Sequence, residues 1–161
     1  MDNRSDIVKD IITLQGSTTL FMESLAKDTL KVKVNSQKEI KIGKEKVIER
    51  SVNLYFDSEH LPVLYCVSHL FKDRLLITEL EGLNSLIVPI GKIFHAENVY
   101  IEKSGIEISQ LSDHQFVNTL NVRPSVIFKK EYQYNVDSRH IGKISEYFNE
   151  ESLLRYALYK A

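Results

Sequence analysis

The sequence has very little cysteine and almost no net charge. Cys66 is the single cysteine among 161 residues, so neither an internal disulfide nor the thiolate set of a structural zinc site can form. We read it as a small core residue rather than a nucleophile. The 21 lysine and arginine residues nearly balance the 22 aspartate and glutamate residues, which gives a formal net charge of -1. A net charge this small gives no support for attraction of the whole chain to nucleic acid or anionic lipid. Any anion must therefore be recognised by a local group of residues.

Long apolar runs are also missing. No run approaches the roughly 18 residues that a helix needs to cross a bilayer. The first ten residues, MDNRSDIVKD, contain no apolar core beside a cleavage signal. We therefore expect a cytoplasmic protein with no membrane partner.

Several motifs that carry chemistry are absent from the sequence. There is no HExxH pattern, no serine-hydrolase elbow, no phosphate loop and no dinucleotide fingerprint. No basic stripe accompanies the tyrosines, which argues against a nucleic-acid partner. The histidines are scattered at unrelated spacings, so we expect no metal site; they are His60, His69, His95, His114 and His140.

The length favours one compact domain over residues 1–161. Apolar periodicity predicts an α+β fold in which helices pack on one face of an antiparallel β-sheet. The polar residues 35–46 are predicted to be a mobile surface connection. Residues 112–124 could be loop or a short helix, and residues 150–161 could be a packing helix or a partner surface. Helices are predicted over 6–14, after the cap Ser17 and near Pro89, and strands over 30–34, 47–56, 61–70, 99–108, 126–136 and 140–148.

Three charged residues lie in phase with the apolar side of the predicted strands. Arg50 shares a face with Val52 and Leu54, Lys130 falls among inward aromatic residues, and Glu146 lies between Ile144 and Phe148. Charges are almost never fully buried unless they are paired or bind a ligand. Two cations and one carboxylate facing a common interior therefore indicate a pocket for a small anion.

A second interpretation of the same pattern is purely structural. Arg50 and Glu146 could form a buried ion pair while Lys130 is solvated at the edge of the sheet. Such a pair is expensive to desolvate and often stabilises a fold no better than apolar residues of similar size. The sequence pattern alone leaves both interpretations open.

Four ordered segments resemble the chorismate pyruvate-lyase family, with the closer likeness to its divergent, shorter prokaryotic branch. They are GSTTLFMESL (16–25), IERSVNL (48–54), VPIGKIF (88–94) and ISEYF (144–148). The resemblance implies an antiparallel sheet with helices on one side, a ligand cavity between them, and conversion of chorismate to 4-hydroxybenzoate and pyruvate. It also implies that neither metal nor organic cofactor takes part.

The resemblance assigns roles to individual residues. Arg50 would hold the ring carboxylate and Glu146 would lie near the ring hydroxyl, so these two are the expected catalytic residues. Ile90 would line the aromatic ring, Gly16 and Ser17 would close over the cavity, and Lys130 would hold a second carboxylate. The sequence departs from this pattern at Val67, where the better-known enzymes of the family carry another arginine.

The sequence therefore predicts a chorismate pyruvate-lyase whose partners are a small-molecule substrate and its aromatic product. An alternative is a non-catalytic sensor or binding domain for a small aromatic acid on the same fold. A third is a structural protein whose inward charges merely pair. The oligomeric state is not specified by the sequence.

Overall fold

The fold is an antiparallel β-sheet with helices gathered on one face, as the sequence predicts. A computed structural model describes residues 3–57, 62–95, 98–111 and 127–149. The helices are α1 (Asn3–Thr13), α2 (Thr18–Ala26), α3 (Ile77–Asn84) and the short α4 (Ile90–Ile93). A 3-10 turn follows β3 at Lys72–Arg74. The strands are β1 (Leu30–Ile42), β2 (Glu45–Phe56), β3 (Pro62–Phe71), β4 (Ile101–Leu111), β5 (Ile127–Val136) and β6 (Arg139–Asn149).

The six strands form one sheet in the order β1-β2-β3-β6-β5-β4, with antiparallel pairing between all neighbours. A tight turn joins β5 to β6. Asp137 and Ser138 have φ values of 48° and 66°, the left-handed conformation of the turns that match the twist of a hairpin. Arg139, which the sequence places in the turn, begins β6 instead. The predicted α+β class is confirmed.

The prediction of a mobile connection over residues 35–46 is wrong. Strand β1 continues to Ile42, the chain turns at Gly43 with φ of 62°, and β2 begins at Glu45. The error has a physical cause. β1 is an edge strand, and backbone pairing with β2 holds it although most side chains after Val34 are partly or fully exposed. Charged residues on such an edge discourage pairing with other chains, and they hide the alternation that marks a half-buried strand.

The side chains on the helical face of the sheet form the core. Ser17 caps α2, because its Oγ accepts a hydrogen bond from the backbone N–H of Leu20 at 3.3 Å, and α4 follows Pro89 as predicted. One apolar cluster packs under α1 and α2, and a second lies under α3 and α4. Fully buried members of the first include Ile11, Leu30, Phe56, Leu64 and Phe148, and those of the second include Leu70, Leu83 and Ile141.

The opposite face of the sheet carries charged and polar side chains. Glu131 binds Lys129 and Lys143 at 2.8 Å each, and Glu49 binds His69 at 2.9 Å. None of the described helices is long and apolar enough to cross a membrane. Residues 57–60 between two of the predicted strands, residues 112–124 and residues 150–161 lie wholly or largely outside the described residues.

Candidate functional site

A narrow cavity lies between the helical face of the sheet and the N-terminal ends of α2 and α4. The space inside it that a water-sized molecule can reach is about 40 Å³. Apolar side chains make up much of the wall, and a few charged or hydroxyl groups converge on it, which is the composition expected of a small-molecule site. The lining consists of Ser17, Thr18, Thr19, Val32, Arg50, Val52, Leu54, Leu64, Cys66, Ile90, Gly91, Lys103, Tyr132, Tyr134, Ile144 and Glu146.

Arg50 projects from β2 into this cavity and is almost fully buried, with 1% of its surface exposed. Its Nη2 donates a hydrogen bond to the backbone oxygen of Val88 at 3.1 Å. Its Nε and Nη1 have no hydrogen-bond partner within the described part of the chain. Burial lowers the pKa of the Arg50 guanidinium to about 10, so the group stays charged at neutral pH. A buried charge with unused donors is costly unless a ligand binds it.

Glu146 projects from β6 into the same cavity, and 4% of its surface is exposed. The Tyr132 hydroxyl donates to its Oε1 at 2.6 Å. The Thr18 hydroxyl donates to its Oε1 at 3.0 Å and lies 3.2 Å from its Oε2. Burial, followed by the charge of Glu146, raises the pKa of the Tyr132 hydroxyl well above its usual range, so Tyr132 remains a donor. Two hydroxyls therefore fix the orientation of this carboxylate.

Arg50 and Glu146 do not form the ion pair that the structural interpretation requires. No contact within 4.0 Å joins their charged groups, and Glu146 takes its hydrogen bonds from hydroxyls. The strand β3 separates their strands in the sheet. The structure therefore brings both predicted catalytic residues to one cavity but leaves the guanidinium without an anionic partner among the described residues.

Lys130 is buried as predicted, but its side chain does not line the cavity. Its Nζ donates to the backbone oxygen of Leu14 at 2.6 Å and lies 3.5 Å from that of Ile11. These carbonyls lie at the end of α1, where unpaired backbone oxygens carry partial negative charge. Burial, with the nearby charge of Lys103, lowers the pKa of Lys130 to about 8. The structure thus gives Lys130 a helix-capping contact in place of the expected contact with ligand.

Lys103 is the charged lining residue that sequence reasoning missed. It projects from β4 opposite Tyr134, with 4% of its surface exposed. Its Nζ donates to Thr18 Oγ1 at 3.1 Å and lies 4.7 Å from the centre of the Tyr132 ring. Burial lowers the pKa of the ammonium group. The sequence pattern that identified the other three charges also applies to Lys103, because Lys103 lies in phase with the apolar Ile101.

The structure places two of the other three predicted site residues in the wall of the cavity. Ser17 and Ile90 line the cavity, whereas Gly16 is not part of the lining. Gly91 is a lining residue that sequence reasoning missed. A Cβ at Gly91 would lie 2.6 Å from Ser17 Oγ and 2.7 Å from Thr19 Oγ1. Only glycine lets α4 approach the start of α2 this closely.

The structure also shows on which face of the sheet Cys66 and Val67 lie. Cys66 is buried and lines the cavity, and burial raises the pKa of its thiol well above the usual range, which suits an inert wall residue. Val67 pairs with Ser51 and Ser145 on the opposite face of the sheet from Cys66. The side chain at position 67 therefore does not contribute to the lining. Within the described ranges, no cluster of three histidine, cysteine, aspartate or glutamate residues could hold a metal ion.

Comparison with solved structures finds the same architecture in other proteins. The ligand-binding domain of a proposed GntR-family transcriptional regulator from Bordetella bronchiseptica matches with a TM-score of 0.56 and 12% identity, over 74% of this chain and 83% of that one. The effector domain of PhnF from Mycobacterium smegmatis matches with a TM-score of 0.55 and 10% identity, over 84% and 90%. The chain shares the fold of these domains.

The structure of PhnF from Mycobacterium smegmatis matches with a TM-score of 0.60 and 10% identity, over 87% of this chain and 66% of that one. The chain therefore spans about two thirds of that protein's length. At the level of sequence, no family model and no curated protein matches the chain. Identities this low establish a shared fold alone.

Proposed function

We propose that this chain converts chorismate to 4-hydroxybenzoate and pyruvate in the cavity between the sheet and the ends of α2 and α4. The observation that carries the proposal is the buried Arg50, whose Nε and Nη1 donors have no partner among the described residues and which shares the cavity with Glu146. A ligand carboxylate supplies both the missing negative charge and the missing acceptors. The fold likeness to ligand-binding domains and the four sequence segments support the same proposal.

Arg50 holds the ring carboxylate of the substrate. Guanidinium is planar and offers five N–H donors, which match the two oxygens of a carboxylate. The Val88 contact at 3.1 Å fixes one end of the group and leaves the other donors to the ligand. Ile90 and the apolar strand residues then enclose the ring. Excluding water in this way strengthens the charge contact.

Glu146 accepts a hydrogen bond from the C4 hydroxyl of chorismate. Tyr132 and Thr18 hold its carboxylate in place, so little reorganisation is needed when substrate enters. In the reaction the C3–O bond to the enolpyruvyl group breaks, C4 loses its hydrogen as a proton, and the methylene carbon of the departing enol gains a proton. No electrons are exchanged with a cofactor. The aromatic ring that forms drives the step, and the protein supplies positioning and electrostatic stabilisation.

The test is incubation of the purified chain with chorismate, with both products followed by chromatography. Equal amounts of 4-hydroxybenzoate and pyruvate are expected from the wild type, and neither above background from Arg50→Met. Arg74→Met is the matched control, because that arginine binds the partly exposed Glu45 outside the cavity. Chorismate that stays intact with folded wild-type protein would overturn the lyase proposal.

A second candidate function is non-catalytic sensing of a small aromatic acid. The observation that favours it is the shared fold with the GntR-family ligand-binding domain and the PhnF effector domain. Both functions use the same contacts of Arg50 with a carboxylate. Tight binding of 4-hydroxybenzoate combined with no turnover of chorismate would favour the sensor.

A further inference from the structure

The buried charges around the cavity are unbalanced. Arg50, Lys103, Lys130 and Glu146 are each at least 96% buried on the helical face of the sheet. Arg50 and Lys103 line the cavity together with the single carboxylate of Glu146, whereas Lys130 is held by the backbone oxygens at the end of α1. Among the described residues the other buried carboxylate is that of Glu79, which Arg139 already binds at 2.8 Å. An apolar interior tolerates cations without anionic partners poorly, and a ligand with two negative groups would give each of the two lining cations a partner.

The two cations that line the cavity project from strands near opposite edges of the sheet, on the same face. Arg50 is on β2 and Lys103 is on β4, four strand positions apart, with Glu146 on β6 midway between them. Neighbouring strands lie about 4.8 Å apart, so the backbones of the two residues are separated by roughly 19 Å along the sheet. Both side chains are long and extend into the cavity between them. One carboxylate cannot be expected to satisfy both groups. The arrangement instead fits a ligand that is anionic at two places.

Lys103 retains hydrogen-bonding capacity for such a ligand. An ammonium group has three N–H donors, and Thr18 Oγ1 at 3.1 Å is the one acceptor found for it within the described residues. The same Thr18 hydroxyl donates to Glu146, so Thr18 links the lysine and the carboxylate. Lys103 is therefore held beside Glu146, where a second anionic group of a bound molecule would lie next to the ring hydroxyl.

We infer that Lys103 binds a second carboxylate of the ligand and makes the cavity selective for dianionic over monoanionic aromatic or cyclic acids. This inference rests on the proposed function, in which Arg50 binds the first carboxylate. It assigns to Lys103 the role that the sequence resemblance gives to Lys130. In the lyase reaction the second carboxylate is that of the enolpyruvyl group, which is attached beside the C4 hydroxyl.

The test measures binding of two unreactive ligands by titration calorimetry. 4-Hydroxybenzoate carries one carboxylate, and 4-hydroxyisophthalate carries a second one beside the hydroxyl. We expect Lys103→Met to lower the affinity for 4-hydroxyisophthalate by about tenfold or more, which is the contribution of a charge-assisted hydrogen bond. The affinity for 4-hydroxybenzoate should change less than about threefold. Lys103→Gln, which keeps a donor but no charge, should behave in the same way and carries the test if the methionine variant does not fold.

Lys143→Met is the matched control, because Lys143 lies on the opposite face of the sheet and binds Glu131. It should leave both affinities unchanged. Equal weakening of the two ligands in the Lys103 variants would overturn the inference while leaving the Arg50 site intact, and so would a wild type that binds only the monocarboxylate. A wild type that binds neither ligand would overturn the inference together with the proposed function.

Discussion

Arg50 and Glu146 line the same cavity from strands β2 and β6 without forming an ion pair. Each has an environment of its own, because Val88 accepts one hydrogen bond from the guanidinium while Tyr132 and Thr18 donate to the carboxylate. A fold that needed only to neutralise its buried charges would bring the two groups together. Their separation leaves the guanidinium available to a carboxylate ligand and the carboxylate available to a hydroxyl.

Replacing Arg50 should leave the fold intact or stabilise it. Arg50→Met removes a buried charge that has no anionic partner, so we expect the free energy of unfolding to stay constant or rise by about 1 to 3 kcal/mol. Arg139→Met is the contrasting control, because it strips Glu79 of contacts at 2.8 and 3.0 Å. That variant should lose about 2 to 3 kcal/mol. Denaturant unfolding measures both, and a loss of several kcal/mol in Arg50→Met would show that the fold depends on that charge.

Replacing Glu146 should reduce turnover more than binding. Glu146→Gln keeps the size of the side chain but removes the negative charge that accepts from the substrate hydroxyl. We expect kcat for chorismate to fall by about a hundredfold or more and KM to change less than about threefold. Glu131→Gln, on the opposite face of the sheet, is the control. An unchanged kcat in Glu146→Gln would show that a carboxylate is not needed there.

Adding one methyl group at Gly91 should disturb the wall of the cavity. The new Cβ in Gly91→Ala would lie within 3.0 Å of side-chain atoms of Ser17 and Thr19, so either these side chains or α4 must shift. We expect the free energy of unfolding to fall by about 1 to 3 kcal/mol and ligand affinity to fall with it. A Cβ at Gly16 meets no atom within 4 Å, so Gly16→Ala should change stability by less than about 0.5 kcal/mol. Equal stability of the two variants in thermal melts would contradict this packing.

The stability contributed by Lys130 should depend on pH. The pKa of Lys130 is lowered to about 8 in the folded chain, against the usual value of about 10.4 in an unfolded chain. Between these values the unfolded state binds more protons, so the stability of the wild type relative to Lys130→Met should rise with pH. The slope should reach at most about 1.4 kcal/mol per pH unit. Unfolding of both proteins at pH 7, 8, 9 and 10 measures it, and a flat difference would place the Lys130 ammonium in a less desolvated setting.

The sequence predicted the sheet because most strands are buried on one face and alternate clearly. The same alternation identified Arg50, Glu146 and Lys130 as inward residues, and all three are buried. It could not identify which acceptor a long side chain reaches. Lys130 turns to the carbonyls at the end of α1 and Lys103 reaches Thr18, and both contacts depend on how the helices dock.

Strand β1 and the contact of Gly91 show two other limits of sequence reasoning. After Val34 the side chains of β1 alternate little between polar and apolar, since backbone pairing with β2 rather than burial holds the strand. The glycine requirement at position 91 arises from a neighbour more than 70 residues away along the chain, Ser17. Neither feature leaves a local pattern in the sequence from which it could be predicted.

Recognition of a ligand carboxylate by Arg50 can be measured with a binding cycle. The affinities of 4-hydroxybenzoate and its neutral isostere 4-hydroxybenzamide are measured by calorimetry on the wild type and on Arg50→Met. The wild type should prefer the carboxylate by about a hundredfold, the scale of a charge-assisted contact in a desolvated site, and the variant should lose that preference. A preference of the same size in both proteins would contradict this role of Arg50, because it would show that the carboxylate is bound elsewhere.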